Sequence, residues 1–252
     1  METLACIKRV PDTGAKIVLT EDRQDIDTSS LGFTFSPHEE CGVEEIVQIT
    51  EDHGGNATVM TLGPEDAQEQ LRSAIAMGCD DGVLLETDTT EWAPEATADA
   101  LATAIEDDDT DYDLLVFGNE SADAQNYQVG VRVAEQLGLP CITGIKDLEI
   151  DDGTAIAERE IPGGSEVYEI DLPAVVTVKE GLNEPRYPSM RAKMQARKTE
   201  VDRVEPEGDG SGDLEMVELE VPETDDSPAE ILGESPDAAA NVVDVLEELE
   251  VL

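Results

Sequence analysis

AIAEREIPGGSEVYEIDLPAVVTVKEGLNEPRYPSMRAKMQARK occupies residues 155–198 and carries the clearest structural signals of the chain. Two β-rich runs, 154–160 and 165–170, flank Pro162-Gly163-Gly164, a combination that predicts a hairpin. Pro173 to Val178 is a short apolar run bounded by Leu172-Pro173 and Gly181, the pattern of a buried strand. The next nine residues hold Pro185 and Pro188, which exclude a regular helix or a central strand. Exposed Tyr187 and Met190 in such a segment suit a docking loop. A cationic helix is expected over 189–199.

A buried strand of this kind needs neighbours, and the preceding 135 residues supply them by alternating strand and helix patterns. Strands are expected at Leu4 to Ile7, Ala57 to Leu62, Gly82 to Glu86 and Asp113 to Phe117. The intervening helices are expected at about 38–51, 65–77 and 94–106, with a further one at 124–137. Ser36 before Pro37 is a helix start, and Gly78 and Gly138 are helix stops. Residues 13–31 read as a hairpin excursion. The resulting class is α/β, a Rossmann-like parallel sheet with helices on both faces, of the adenine-nucleotide-binding type. The main domain is placed at 1–203. Residues 204–252 form an acidic C-terminal arm ending in a helix over 238–250, expected to dock through Val242, Val243, Leu246 and Leu249 on its own domain or on a partner.

Composition narrows the function. The chain has 252 residues, 61 acids against 15 Lys and Arg, and a formal net charge of −46, yet 39% of its residues are hydrophobic. Recurrent apolar periodicity argues for a folded protein whose surface suits molar salt rather than for disorder. A surface this acidic excludes nucleic-acid and anionic-lipid binding, and no run is long and apolar enough to insert in a membrane. Four scattered cysteines, without metal spacing or CxxC pairs, fit reduced, buried thiols in a cytoplasmic protein. No GxSxG, Walker A or HExxH motif is present, so an enzyme with its own bond chemistry is not expected. Seven of the 15 cations fall between 179 and 203: Lys179, Arg186, Arg191, Lys193, Arg197, Lys198 and Arg203. Such clustering predicts an acidic or anionic partner.

Gly118-Asn119-Glu120-Ser121-Ala122-Asp123-Ala124-Gln125-Asn126-Tyr127-Gln128 lies between a strand and a helix. A glycine for close approach, neutral polar side chains and a helix N-terminus make it a candidate phosphate site, with a plain βα loop as the alternative.

EREI-P-GG followed by LPAVVTVKEGLNEPRYPSMRAKMQARK resembles the signature region of the electron transfer flavoprotein β subunit. Cys6-Ile7-Lys8-Arg9-Val10-Pro11-Asp12, Leu62-Gly63-Pro64, AMGCDDGVLL and the Gly118-to-Gly130 loop fall in the same order, so the resemblance spans residues 2–200. It implies an electron carrier, paired with an FAD-carrying α subunit, that takes electrons from acyl-CoA dehydrogenases or similar flavoenzymes and passes them to a quinone oxidoreductase. It also implies a cofactor site for AMP at Cys6, Ser36, Pro37, His38, Glu39, Leu62 and Gly118 to Val129. In the bifurcating branch the same site holds a second FAD. Ser36 replaces a common Asn, and Thr13 and His38 stand where relatives put aromatic side chains near the flavin. The recognition loop would be 182–198, with Leu182, Asn183, Glu184, Pro185, Arg186 and Tyr187 around Met190 as its apolar anchor. Glu160 would meet an arginine of the α subunit. A stand-alone adenine-nucleotide-binding protein would leave LNEPRYPSM without a role.

Overall fold

A computed structural model describes residues 1–12, 14–88, 91–214, 216–222, 231–233, 235–249 and 251. In chain order it contains β1 (Glu2–Cys6), β2 (Val10–Pro11), β3 (Phe33–Thr34), α1 (Pro37–His53), β4 (Asn56–Gly63), α2 (Gln68–Met77), β5 (Asp81–Glu86), α3 (Pro94–Asp107) and β6 (Leu114–Gly118). There follow α4 (Val129–Leu137), β7 (Cys141–Ile145), β8 (Asp147–Asp151), β9 (Thr154–Ile161), β10 (Gly164–Asp171), β11 (Ala174–Val178), α5 (Met190–Ala196), β12 (Asp202–Val204) and α6 (Ala239–Glu248).

Seven of these strands form one parallel sheet in the order β12-β5-β4-β1-β6-β11-β7. The alternation of side chains divides each strand between two cores. Ala5, Val59, Val116 and Val176 face α1, α2 and the antiparallel β8–β10 sheet, together with Val43, Ile46 and Leu71. Leu4, Cys6, Met60, Leu115, Phe117 and Val175 face α3 and α4. Because both faces are covered, the strands read as continuous apolar runs. β1 is flanked by β4 and β6, built on opposite sides of it, so the chain reverses direction across the sheet there. Ligands of open α/β sheets collect at the carboxyl ends of strands at such a switch point.

Most expected elements appear close to their expected bounds. α1 begins with a capping box: Ser36 Oγ accepts from Glu39 N–H and the Glu39 carboxylate accepts from Ser36 N–H. The hairpin β9–β10 turns at Pro162-Gly163, and the excursion after β2 closes through the β2–β3 pair and a Leu19–Ile26 bridge.

Four expectations are corrected. The helix expected from residue 124 begins at Val129; Gln125 (φ 51°) and Tyr127 (φ 58°) are left-handed, which no α-helix accommodates. The terminal helix forms but does not pack on its own domain, with Val242, Val243 and Leu249 more than 40% exposed and no buried residue. The cationic cluster is divided, because Arg186 and Arg203 are bound within the chain by Glu44, Glu51, Glu65 and Glu86. Cys141 is only half-buried, while Cys6, Cys41 and Cys79 are buried, and all four thiols are free. β12 lies across the expected boundary at residue 203 and extends the sheet at β5.

Candidate nucleotide site

A cleft opens over the carboxyl ends of β1, β4 and β6. Its wall includes Cys6, Ile7 and Lys8 after β1, Leu62 on β4, Phe117 to Ser121 at the end of β6, and Asn126 to Gly130 leading into α4. Glu39 closes it from α1; Glu91, Trp92, Pro94, Thr97 and Leu101 close it from the α3 side. Cys6, Leu62, Trp92, Leu101 and Phe117 give it a substantial apolar wall, of the kind that accepts a ring.

The polar groups around the wall are held from several directions. Asn119 N–H donates to Val178 O (2.9 Å), and its side-chain oxygen accepts from Thr177 Oγ1 (2.9 Å). Thr177 in turn accepts from Gly144 N–H, tying β6, β7 and β11 together below the loop. Lys8 Nζ lies 3.0 Å from Glu91 and 2.8 Å from Asp123. Burial alone would lower the Lys8 ammonium; Glu91 and Asp123 outweigh it and hold it above its ordinary value.

Glu39 is a brace within this frame. Its two carboxylate oxygens accept from Lys8 N–H (2.9 Å) and Ser36 N–H (2.8 Å), joining the end of β1 to the start of α1. A Cβ on residue 118 would meet Glu39 Cγ at 2.8 Å, so Gly118 is required for the carboxylate to pack there. Burial pushes the Glu39 carboxyl up to about 8, with the Ser36 and Lys8 hydrogen bonds opposing the rise. A raised folded value means that the folded state keeps its proton while the unfolded state ionises. The Glu39 contribution is therefore intact below about pH 4.5, declines as pH rises and is lost above about 8. Glu39→Gln should remove this decline. Denaturant midpoints at fixed salt should show wild type losing ground to the variant between pH 5 and 8, by on the order of a few kcal/mol, with a constant difference above that. A pH-independent difference would mean that Glu39 is ionised throughout.

Two features of the cleft call for a ligand. Glu120 Oε2 is buried without a hydrogen-bond partner, an acceptor awaiting an O–H or N–H donor. The N-cap of α4, Gln128, makes no side-chain cap bond, so the first amides of that helix face the cleft mouth with the positive end of the helix dipole. An acceptor for hydroxyl or amino groups, an anion-favouring helix end and an apolar wall fit an adenine nucleotide.

The expected cofactor residues divide accordingly. Cys6, Glu39, Leu62, Gly118, Asn119, Glu120, Ser121, Asn126, Tyr127, Gln128 and Val129 line the cleft. Ser36, Pro37, His38, Ala122, Asp123, Ala124 and Gln125 stand outside the wall. Ser36 caps α1, and Asp123 reaches Lys8. His38 spans two segments: Nδ1 accepts from Glu180 N–H (2.6 Å), and Nε2 lies 3.4 Å from Glu120. Thr13 lies outside the described residues. Sequence reading missed Glu91, Trp92, Thr97 and Leu101. The available signal was Pro94, which as the first residue of α3 places Glu91 and Trp92 just before a helix N-terminus.

The recognition segment also divides. Asn183 Nδ2 donates to Cys41 O (3.0 Å) and Glu45 (2.8 Å), Arg186 forks onto Glu44 and Glu51, and Leu182 packs against the core. These residues fasten the segment to α1. Glu184, Tyr187 and Met190 are exposed, the last two at 94% and 75%. Glu160 lies 3.0 Å from Lys146 at the hairpin edge.

Comparison with known proteins matches residues 25–208 to the electron transfer flavoprotein domain. The chain is 34% identical to the electron transfer flavoprotein subunit beta of Bacillus subtilis over 252 residues, covering 98% of this chain and 97% of that one. It is 38% identical to the subunit of the same description from Syntrophomonas wolfei over 203 residues, 80% of this chain and 78% of the relative. For the Mycobacterium tuberculosis subunit the identity is 38% over 208 residues, with 77% and 75% covered. A domain match across most of the fold and relatives similar over three quarters or more of their length place this chain in the electron transfer flavoprotein family, as a β subunit that serves electron transfer.

Proposed function

We propose that this chain holds AMP in the cleft over β1, β4 and β6, and forms one wall of an FAD site completed by an α subunit. The observation that carries the AMP assignment is the pairing of the partnerless Glu120 oxygen with the uncapped α4 N-terminus. The α4 amides would take the phosphate, Glu120 would accept from a ribose hydroxyl or the adenine amino group, and the apolar wall would cover the ring. FAD, when bound, supplies the redox chemistry. This chain's contribution is to shape and close its site, with His38 beside Glu120 at the rim.

The exposed Tyr187 and Met190, held out from α1 by Asn183 and Arg186, suit the docking of an acyl-CoA dehydrogenase-type donor; Met190 is a flexible apolar anchor. A quinone oxidoreductase would be the acceptor. Glu160, exposed although paired with Lys146 at 3.0 Å, would meet an arginine of the α subunit. A cytoplasmic location accords with the absence, among the described residues, of any helix long and apolar enough to cross a membrane.

Co-expression with the α subunit, purification in high salt, denaturation and chromatography of the released nucleotides test the assignment. One FAD and one AMP per heterodimer are expected. Two FADs without AMP would reassign the cleft to a bifurcating carrier. Nucleotide-free protein would refute the cleft as a nucleotide site.

A further inference from the structure

We propose that Trp92 is a positioning residue for the nucleotide, and that the C-terminal arm holds it in the cleft wall, so that seating of the arm sets nucleotide affinity. The inference rests on the cleft being the nucleotide site. Trp92 is the sole tryptophan of the chain and is 9% exposed. It lies in residues 91–93 directly before α3, which pair with no strand among the described residues.

That run is gripped from two sides. On the cleft side, Lys8 binds Glu91. On the other side, the arm folds back from β12 and lays its glycines on the indole. Gly210 (φ 74°) packs so closely that a Cβ there would sit 2.7 Å from the ring carbons, and a Cβ on Gly208 would reach it at 3.9 Å. Gly210 O accepts from Ala93 N–H (2.9 Å), directly after the tryptophan. Three residues on, Asp213 N–H donates to Glu95 Oε1 (2.8 Å) in the first turn of α3. Two hydrogen bonds thus tie the arm to the backbone and first turn beside Trp92, a glycine packs on its indole, and the side chain also forms part of the cleft wall.

The arrangement has the character of preorganisation. A large ring that is already immobilised costs a ligand no ordering entropy, whereas a loosened ring must be ordered at the expense of affinity. A tail that served only to cover the core would contribute to stability without altering nucleotide binding.

Gly210→Val, which places a branched side chain against the indole, and Glu95→Ala, which removes the acceptor for Asp213 N–H from an exposed position, separate the two roles in the intact heterodimer. Three quantities are measured in high salt: hydrogen exchange of the peptide containing Ala93, affinity for AMP added back after the bound AMP has been removed, and FAD content. Faster exchange with AMP affinity reduced about tenfold in Gly210→Val and about threefold in Glu95→Ala, at unchanged FAD, is the expected result. Faster exchange with unchanged AMP affinity would overturn the inference and leave the nucleotide site standing. Unchanged exchange in both variants would overturn it by showing that the arm does not hold the run. A wild-type heterodimer without affinity for AMP would remove the nucleotide reading and this inference with it. Glu95→Ala keeps the test open even where Gly210→Val fails to fold.

Discussion

Arg186→Ala is expected to lower the unfolding free energy by about 2–3 kcal/mol and to free the 182–190 segment from α1. Arg186 makes a two-pronged contact with Glu44 (2.9 Å at the closest) and reaches Glu51 at 2.7 Å, while its backbone N–H also donates to Glu44 (3.0 Å). The Glu44 side chain is only 4% exposed. Burial alone would raise its carboxyl; the hydrogen bonds from Arg186 outweigh this and bring it below the ordinary carboxylate range. Removing the guanidinium leaves a buried carboxylate with Gln48 as its remaining side-chain donor. The loss is smaller than for a fully buried pair because the Arg186 side chain is 34% exposed and so partly screened. Arg186→Lys keeps the charge but not the fork, and should recover roughly half of the loss. Arg186→Ala combined with Glu44→Gln should also recover stability, since no unpaired charge remains. Denaturant midpoints in high salt decide the matter. An Arg186→Ala midpoint equal to wild type would assign the fastening to Asn183 alone.

Dilution of salt should have the larger effect. Even with all 15 Lys and Arg paired, 46 acids would have no cation of the chain to meet. Lowering salt from about 1 M to about 0.01 M lengthens the screening distance from about 3 Å to about 30 Å, so that carboxylates across the whole surface repel one another. Far-UV circular dichroism should report loss of folded structure on dialysis into dilute buffer and its return with salt. A spectrum indifferent to dialysis would refute the proposal that this protein works in molar salt. The small, mostly aliphatic core, with aromatics only 3% of the chain, offers limited reserve against that repulsion.

Local chemistry that makes its own structure was legible in the sequence. Leu172-Pro173 before the mostly apolar run 174–178 announced β11, Ser36 with Pro37 announced α1, and Pro162-Gly163-Gly164 announced the hairpin. What failed depended on partners far along the chain or on unusual backbone. Residues 124–128 have no proline or glycine to forbid a helix, and the left-handed conformations of Gln125 and Tyr127 belong to the folded loop. Arg186 belonged to a cationic cluster when residues were counted along the chain, but its partner Glu44 lies 142 positions away. Trp92 escaped notice because its role comes from the arm that covers it. α6 has the apolar stripe of a docked helix, yet periodicity describes a face without saying what meets it.

The strand order also bears on how the protein is made. β7 is translated before β11, but in the sheet it pairs only with β11, which lies between it and β6. A nascent chain that has emerged through residue 171 can zip β1, β4, β5 and β6 side by side and close the local β8–β10 meander. β7 must wait for Ala174–Val178 to insert. That late insertion brings Thr177, which steadies Asn119 and Gly144. Vectorial synthesis therefore produces the strands under the cleft first and the Thr177 brace beside them later, and a ribosome stalled near residue 170 would display a β6 edge open to pairing with another chain.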